Sequence, residues 1–200
     1  MCDSVGMPSP VINIVASLRS SDDDTTADMK PDRRGNRYEM NMPLKVVQVC
    51  PPAGLRWLVA HEVGHQATRN NFQERLKGAV MALALISGVS WLGTTVVAAW
   101  ADLSGASSHW APVSTAAMMS FLLSLLWISA LRRADERRAD EFAAAFMGHV
   151  QGAEEYFAFT NAARATPTRT ERLGRAVMWP LRLHPSHRER LQLMRAKVGP

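Results

Sequence analysis

Residues 55–65 are Leu-Arg-Trp-Leu-Val-Ala-His-Glu-Val-Gly-His, an apolar run that leads into the motif His61-Glu62-Val63-Gly64-His65. Residues four apart lie on the same face of a helix. The imidazoles of His61 and His65 can therefore both reach one tetrahedral zinc ion. Glu62 lies one step further round the helix, where it can accept a proton from a water activated by the metal. The stretch predicts a helix that carries a metal site.

A third metal ligand is expected downstream, because catalytic zinc usually keeps three protein ligands and one open position. The chain offers a tandem repeat of Arg-Arg-Ala-Asp-Glu at residues 132–136 and 137–141. Glu136 has Asp140 four residues later, whereas Glu141 has Ala145 at that place. A second carboxylate on the same helical face can orient a ligating histidine by hydrogen bonding. We therefore predict Glu136 as the third ligand and Asp140 as its outer partner; the alternative is a solvated charged face.

Two uncharged segments lie between these motifs, at residues 78–101 and 111–131. Each is long enough for a helix across a bilayer core, which needs about 20 apolar residues. Basic residues flank the pair, and the connecting loop, Asp102 to Trp110, has no Lys or Arg. By the positive-inside rule, a transmembrane hairpin with both chain ends in the cytoplasm is predicted. The alternative is a pair of buried core helices in a soluble protein.

The remaining pattern predicts a mainly α (α+β) fold in a single domain, residues 1–200. Residues 1–50 form a β and loop lead-in, and residues 132–200 form a helical part that carries the third ligand. The lead-in is predicted to contain two strands, Val11–Leu18 and Tyr38–Val49, with a loop from Ser20 to Arg37. Helices are predicted at Ala53–Asn70, Arg132–Gly148, Gly152–Ala165 and Pro185–Val198.

The amino-acid composition argues against a nucleic-acid partner and against a metal site built from cysteines. The chain has 200 residues, 47% of them hydrophobic, and a formal charge of +5. The basic residues lie beside the apolar stretches and in the C-terminal tail without interleaved aromatic residues, so nucleic acid is not an expected partner. Its two cysteines, Cys2 and Cys50, form no metal-binding pair, and residues 1–10 do not have the pattern of a signal peptide.

Three motifs occur in the order known from one family: HEVGH, then ERRADEFAA from residue 136, then HPSHRER from residue 184. Together with the hairpin, they resemble the integral-membrane gluzincins of the HtpX and CAAX-prenyl-protease type, metallopeptidase family 48. The resemblance runs from about Leu55 to Leu191. It implies a gluzincin-like catalytic domain, with the membrane hairpin inserted between the helices that carry the ligands.

The resemblance also implies an activity and a set of roles. The protein would be a zinc endopeptidase of a bacterial-type inner membrane, acting on a peptide or protein substrate at the cytoplasmic side and contacting membrane lipid. One Zn²⁺ per chain would be bound by His61, His65 and Glu136, with Glu62 as the general base. His184 and Arg190 would line the site and stabilise the oxyanion of the tetrahedral intermediate. His187 and Arg188 are close alternatives for this last role.

Three functions are compatible with these features. The first is a membrane zinc endopeptidase, for example in membrane-protein quality control. The second is a soluble regulatory metallopeptidase that resembles repressor-cleaving enzymes, and the third is a non-catalytic membrane interaction protein. In gluzincins an edge strand beside the active-site helix pairs with extended substrate, and Lys45–Val49 is the predicted strand.

Overall fold

The computed structural model describes residues 10–15, 27–31, 38–103, 110–163 and 184–198. Over these residues the chain is mainly helical with one small sheet, which confirms the predicted fold class. The chain divides into two compact units. The first comprises residues 1–69, 134–173 and 185–200, and the second comprises residues 70–133 and 174–184.

The sheet of the first unit has three strands, β1 (Val11–Val15), β2 (Asp28–Pro31) and β3 (Tyr38–Pro43). β3 is the central strand, parallel to β1 and antiparallel to β2. β2 lies within the stretch that was predicted to be a loop, so that prediction was wrong there. Its pattern was hard to recognise because the strand has four residues and ends at a proline.

Helix α1 (Leu44–Val49) occupies the second half of the predicted strand Tyr38–Val49. Pro43 ends β3, because a proline has no N–H for the strand ladder, and it then serves as the helix N-cap. Val46 is completely buried on α1, so this apolar side chain packs into the core from a helix rather than from a strand. The prediction that Lys45–Val49 pairs with substrate as an edge strand was therefore wrong.

The other helices of the first unit are α2 (Pro52–Ala67), residues 134–147 of α4 (Trp110–Met147), α5 (Gln151–Ala163) and α6 (His187–Val198). They enclose a core whose largest completely buried side chains include Trp57, Phe157 and Met194. α2 and α5 meet at a glycine: a Cβ on Gly152 would lie 2.6 Å from the carbonyl oxygen of Ala53. This close contact fixes α2, the helix of the HEVGH motif, against α5.

The second unit contains α3 (Asn71–Leu103) and residues 110–133 of α4. These two segments share hydroxyl hydrogen bonds, of 2.9 Å between Ser87 and Ser120 and of 2.9 Å between Thr95 and Ser114. α3 and α4 are both long and apolar enough to cross a membrane. Only 17% of the most apolar 18-residue stretch of α3 is buried, and only 11% of that of α4. This exposure of apolar surface does not fit the buried core helices of the soluble alternative.

Candidate metal centre

The side chains of His61, His65 and Glu136 converge in the first unit, with one ligand atom of each lying within 4.8 Å of the others. The Nε2 atoms of His61 and His65 lie 3.6 Å from the Oε2 and Oε1 atoms of Glu136, respectively. α2 supplies both histidines from one face, and α4 supplies the glutamate. Helical spacing and the packing of these two helices together bring the three groups to one point.

These separations fit a tetrahedral metal ion. Ligand atoms that each lie about 2.0–2.2 Å from zinc are separated by roughly 3.3–3.6 Å at the tetrahedral angle. Two imidazole nitrogens and a carboxylate oxygen are also a donor set that zinc accepts in catalytic sites. The three residues therefore fit the metal that the sequence predicts, both in spacing and in chemistry.

The two glutamates of the tandem repeat differ in burial. Glu136 is buried, and its side chain is 11% exposed. Glu141, the equivalent residue of the second repeat, is 49% exposed and its Oε2 atom lies 3.6 Å from Nζ of Lys197. Only one of the two glutamates therefore faces the histidines.

Asp140 contacts the first histidine from behind. Its Oδ1 atom lies 3.0 Å from Nδ1 of His61, a close contact between a carboxylate and an imidazole. Nε2 of the same ring lies 3.6 Å from Oε2 of Glu136 and 3.4 Å from Nη2 of Arg190, so the opposite ring nitrogen faces the predicted ligand, as in a ligating histidine with an outer carboxylate.

Burial and the surrounding carboxylates shift the pKa values of the two histidines in opposite directions. Burial disfavours the charged form of His61, but the nearby carboxylates of Asp140 and Glu136 outweigh it and raise the pKa to about 9. Burial and the charge on His61 lower the pKa of His65 to about 4. Burial opposes ionisation of Asp140 as well, but the nearby imidazole of His61 and the hydrogen bonds from Arg190 lower the pKa of that carboxyl.

Arg190 enters the site from α6. Its Nε and Nη2 atoms donate to the two carboxylate oxygens of Asp140 at 2.7 and 2.6 Å. Its Nη1 atom lies 3.3 Å from Oε2 of Glu136. The predicted site arginine is therefore beside the predicted ligands, but its guanidinium binds the carboxylates of the site.

Aromatic side chains form one wall of the centre. The indole of Trp57 stacks on the imidazole of His61 with ring centroids 5.0 Å apart and an interplanar angle of 20°. Phe157 contacts the indole edge-on at 5.1 Å. Neither residue was predicted from the sequence. Trp57 was detectable, because it lies four residues before His61 and so on the same face of α2.

Gly64 permits the approach of α2 and α4. A Cβ at this position would lie 2.9 Å from the carbonyl oxygen and 3.1 Å from the Cα atom of Ala139. Both of those atoms belong to the backbone of α4, which cannot yield as a flexible side chain does. The second variable position of the HEVGH motif is thus the contact point between the two helices that carry the predicted ligands.

The other predicted residues are placed as follows. Glu62 lies on α2 in a half-buried position. His184 is exposed and belongs to the second unit. His187 stacks on Phe157 with ring centroids 4.3 Å apart, and its Nδ1 atom lies 3.0 Å from Oδ1 of Asn161; Arg188 is exposed. The role of His184 at the oxyanion stays a prediction.

Comparison with known families agrees with this geometry. Residues 42–198 match the family model described as Peptidase family M48. The chain belongs to peptidase family M48. No curated protein and no solved structure matches it.

This match confirms the resemblance drawn from the three motifs, and it makes the protein a peptidase, a hydrolase of peptide bonds. The matched segment contains all the predicted site residues, from His61 to Arg190. A peptidase acts on a peptide or protein, so the predicted class of substrate follows as well.

Proposed function

We propose that this M48 peptidase is a zinc endopeptidase of the membrane, with one zinc ion held by His61, His65 and Glu136. The observation that carries the proposal is the convergence of these three side chains, with 3.6 Å between each imidazole nitrogen and a carboxylate oxygen. Asp140 and Trp57 orient the first histidine from two sides. Each member of this set lies on a helix packed in the core of the first unit.

Bound zinc would supply a Lewis acid that acidifies water and polarises the scissile carbonyl. Glu62 is proposed as the general base, since it follows the first ligand on α2 and is half-buried. It would take the proton of the attacking water and pass it to the leaving amine as the C–N bond breaks. The Trp57 wall excludes water from one side of His61.

The membrane assignment is supported by α3 and α4. Large apolar side chains along them are exposed, including Leu85 at 69% and Trp100 at 71%. We place residues 78–101 and 111–131 across the membrane and the catalytic residues on the cytoplasmic side, following the distribution of basic residues. Misfolded membrane proteins are one substrate class compatible with this location.

The proposal is tested by the zinc content and the peptidase activity of the purified full chain. One zinc per chain is expected in the parent and in Glu62→Gln, which removes the base but no ligand. His65→Ala should lose the zinc, and both variants should lose cleavage of a peptide substrate. His149→Ala is the matched control, because His149 is exposed and outside the cluster.

Cleavage that persists in Glu62→Gln would contradict the proposed base. Zinc that remains in His65→Ala at the parent level would contradict the ligand set. Detergent phase partitioning of the protein distinguishes the membrane peptidase from the soluble alternative. A membrane protein moves into the detergent phase, whereas a soluble regulatory peptidase stays in buffer.

A further inference from the structure

Arg190 was predicted to act on the substrate, but its contacts indicate a different task. We propose that Arg190 is a positioning residue whose guanidinium fixes Asp140 and Glu136, and through them the orientation of His61 toward the metal. The inference rests on the proposed zinc site and assigns a role to helix α6 within it.

The guanidinium nitrogens are occupied by residues of the site itself. Nε and Nη2 hold Asp140 in a two-point contact at 2.7 and 2.6 Å, and Nη1 lies 3.3 Å from Glu136. A planar fork of this kind fixes both the position and the rotation of a carboxylate. Asp140 in turn lies 3.0 Å from Nδ1 of His61, so the constraint reaches the ligand.

The guanidinium is also held from the sides. Its central carbon lies 5.6 Å from the ring centroid of Trp57 and 4.9 Å from that of Phe157. Such cation–π contacts stabilise a desolvated arginine. A swing of Arg190 toward a substrate carbonyl would break both bonds to Asp140, a carboxylate whose side chain is only 4% exposed.

α6 carries this arginine on a firmly docked helix. Met194, one turn after Arg190, is completely buried in the core. At the surface, Arg195 of the same helix forms a 2.6 Å ion pair with Glu154 of α5. α6 is therefore anchored to the first unit by contacts other than those of Arg190.

Positioning and simple electrostatics predict opposite changes in metal affinity. Removal of a positive charge beside the site should by itself strengthen the binding of a cation. Removal of a residue that orients a ligand should weaken it, by about 10- to 100-fold for outer partners of this kind. The sign of the change therefore tells the two roles apart.

The experiment uses the full chain in detergent micelles with Co²⁺ in place of zinc, and no substrate. The d–d absorption of Co²⁺ reports ligand geometry, and competition with a chelator gives the Zn²⁺ affinity. Arg190→Met is expected to alter the Co²⁺ spectrum and to weaken zinc at least tenfold. Arg190→Lys keeps the charge but not the fork, so it should not restore either quantity.

Two variants of α6 serve as controls. Met194→Ala loosens the packing of the helix, and Arg195→Met removes an exposed arginine. Met194→Ala should lower the unfolding temperature, and both should keep the parent's Co²⁺ spectrum. A Met194→Ala spectrum as altered as that of Arg190→Met would show that only helix docking matters, and would overturn the proposal.

Three further outcomes would overturn it. One is tighter zinc binding by Arg190→Met, and another is full recovery in Arg190→Lys. The third is a loss of kcat in Arg190→Met while the substrate-free Co²⁺ spectrum and the Zn²⁺ affinity stay unchanged. That result would support the role of Arg190 in stabilising the oxyanion. If the parent binds neither Co²⁺ nor Zn²⁺, the proposed function itself fails, which is a different result from any of these.

Discussion

His61 and His65 lie one helical turn apart, yet their environments favour opposite charge states. The pKa of His61 is raised to about 9 against burial by its contacts with Asp140 and Glu136, whereas burial lowers that of His65 to about 4. A raised pKa means that the protonated form of His61 is stabilised at neutral pH, and this stabilisation is lost as the pH rises through about 9. Zinc binds the neutral imidazole, so it must displace this proton.

We therefore expect the apparent zinc affinity to rise about tenfold per pH unit from pH 6.5 to about 9 and then to level off, because one proton leaves His61 per zinc bound. His65 should add no proton in this range. Competition with a chelator of known affinity at each pH measures the slope. An affinity that is already constant above pH 7.5 would mean that His61 titrates like an ordinary histidine.

Asp140 and Arg190 form a buried ion pair, with side chains only 4% and 9% exposed. Breaking a buried pair by removing one partner usually costs about 3–5 kcal/mol, because the remaining charge stays buried. Asp140→Ala should lower the free energy of unfolding by about this amount in chemical denaturation, apart from any effect on zinc.

The matched control is Glu154→Ala, which removes the carboxylate of the exposed pair with Arg195. Exposed pairs contribute about 0–1 kcal/mol, so this variant should stay close to the parent. Equal losses in the two variants would mean that the burial of the Asp140 pair adds nothing to stability.

Among the elements of the first unit, the contact of α2 with α4 decides whether the ligands meet. Gly64→Ala would place a Cβ 2.9 Å from the carbonyl oxygen of Ala139, so the two helices must separate. Overpacking of this kind costs about 1–3 kcal/mol. We expect a lower unfolding temperature and weaker zinc binding, because Glu136 moves away from the histidines.

Gly78→Ala provides the comparison for this substitution. A Cβ at Gly78 of α3 would meet nothing within 4 Å, and alanine favours helix over glycine. That variant should bind zinc as the parent does. If Gly64→Ala also kept the parent's stability and zinc affinity, the close approach of α2 and α4 at Gly64 would not be what brings Glu136 to the two histidines.

The elements that carry the site were predictable because their signals are local. The four-residue spacing of the histidines and the Glu136–Asp140 spacing lie within single helices, so their faces follow from the sequence. The lead-in was predicted less well. Leu44–Val49 has β-branched residues yet forms a helix after Pro43, and β2 is too short to show an alternation.

Contacts between different helices could not be predicted from the spacing of residues within one helix. Arg190 meets Asp140 across fifty positions of sequence, and no periodicity indicates that α6 contacts α4. The motif therefore predicted that Arg190 belongs to the site. That its guanidinium binds the carboxylate of Asp140 could be seen only in the structure.

At the scale of the whole molecule, basic residues and long apolar helices together predict an orientation in the membrane. α3 and α4 expose most of their apolar windows, and the loop from Asp102 to Trp110 has no Lys or Arg. Basic residues flank the helices on the other side, including Arg75, Lys77 and Arg132. Moving such charges across a membrane is unfavourable, so the loop should face outward and both chain ends the cytoplasm.

Cysteine labelling in intact bacterial cells tests this orientation on a chain in which Cys2 and Cys50 are replaced by serine. Ser107→Cys in the loop should react with a membrane-impermeant maleimide, whereas Arg188→Cys, at an exposed position of α6, should react only after lysis. Labelling of both in lysed cells controls for reactivity. A loop cysteine that needs lysis would reverse the topology, and reaction of both sites only after lysis, with the protein in the soluble fraction, would favour the soluble alternative. The proposed zinc ligands would be unaffected by either result, because His61, His65 and Glu136 converge within the first unit alone.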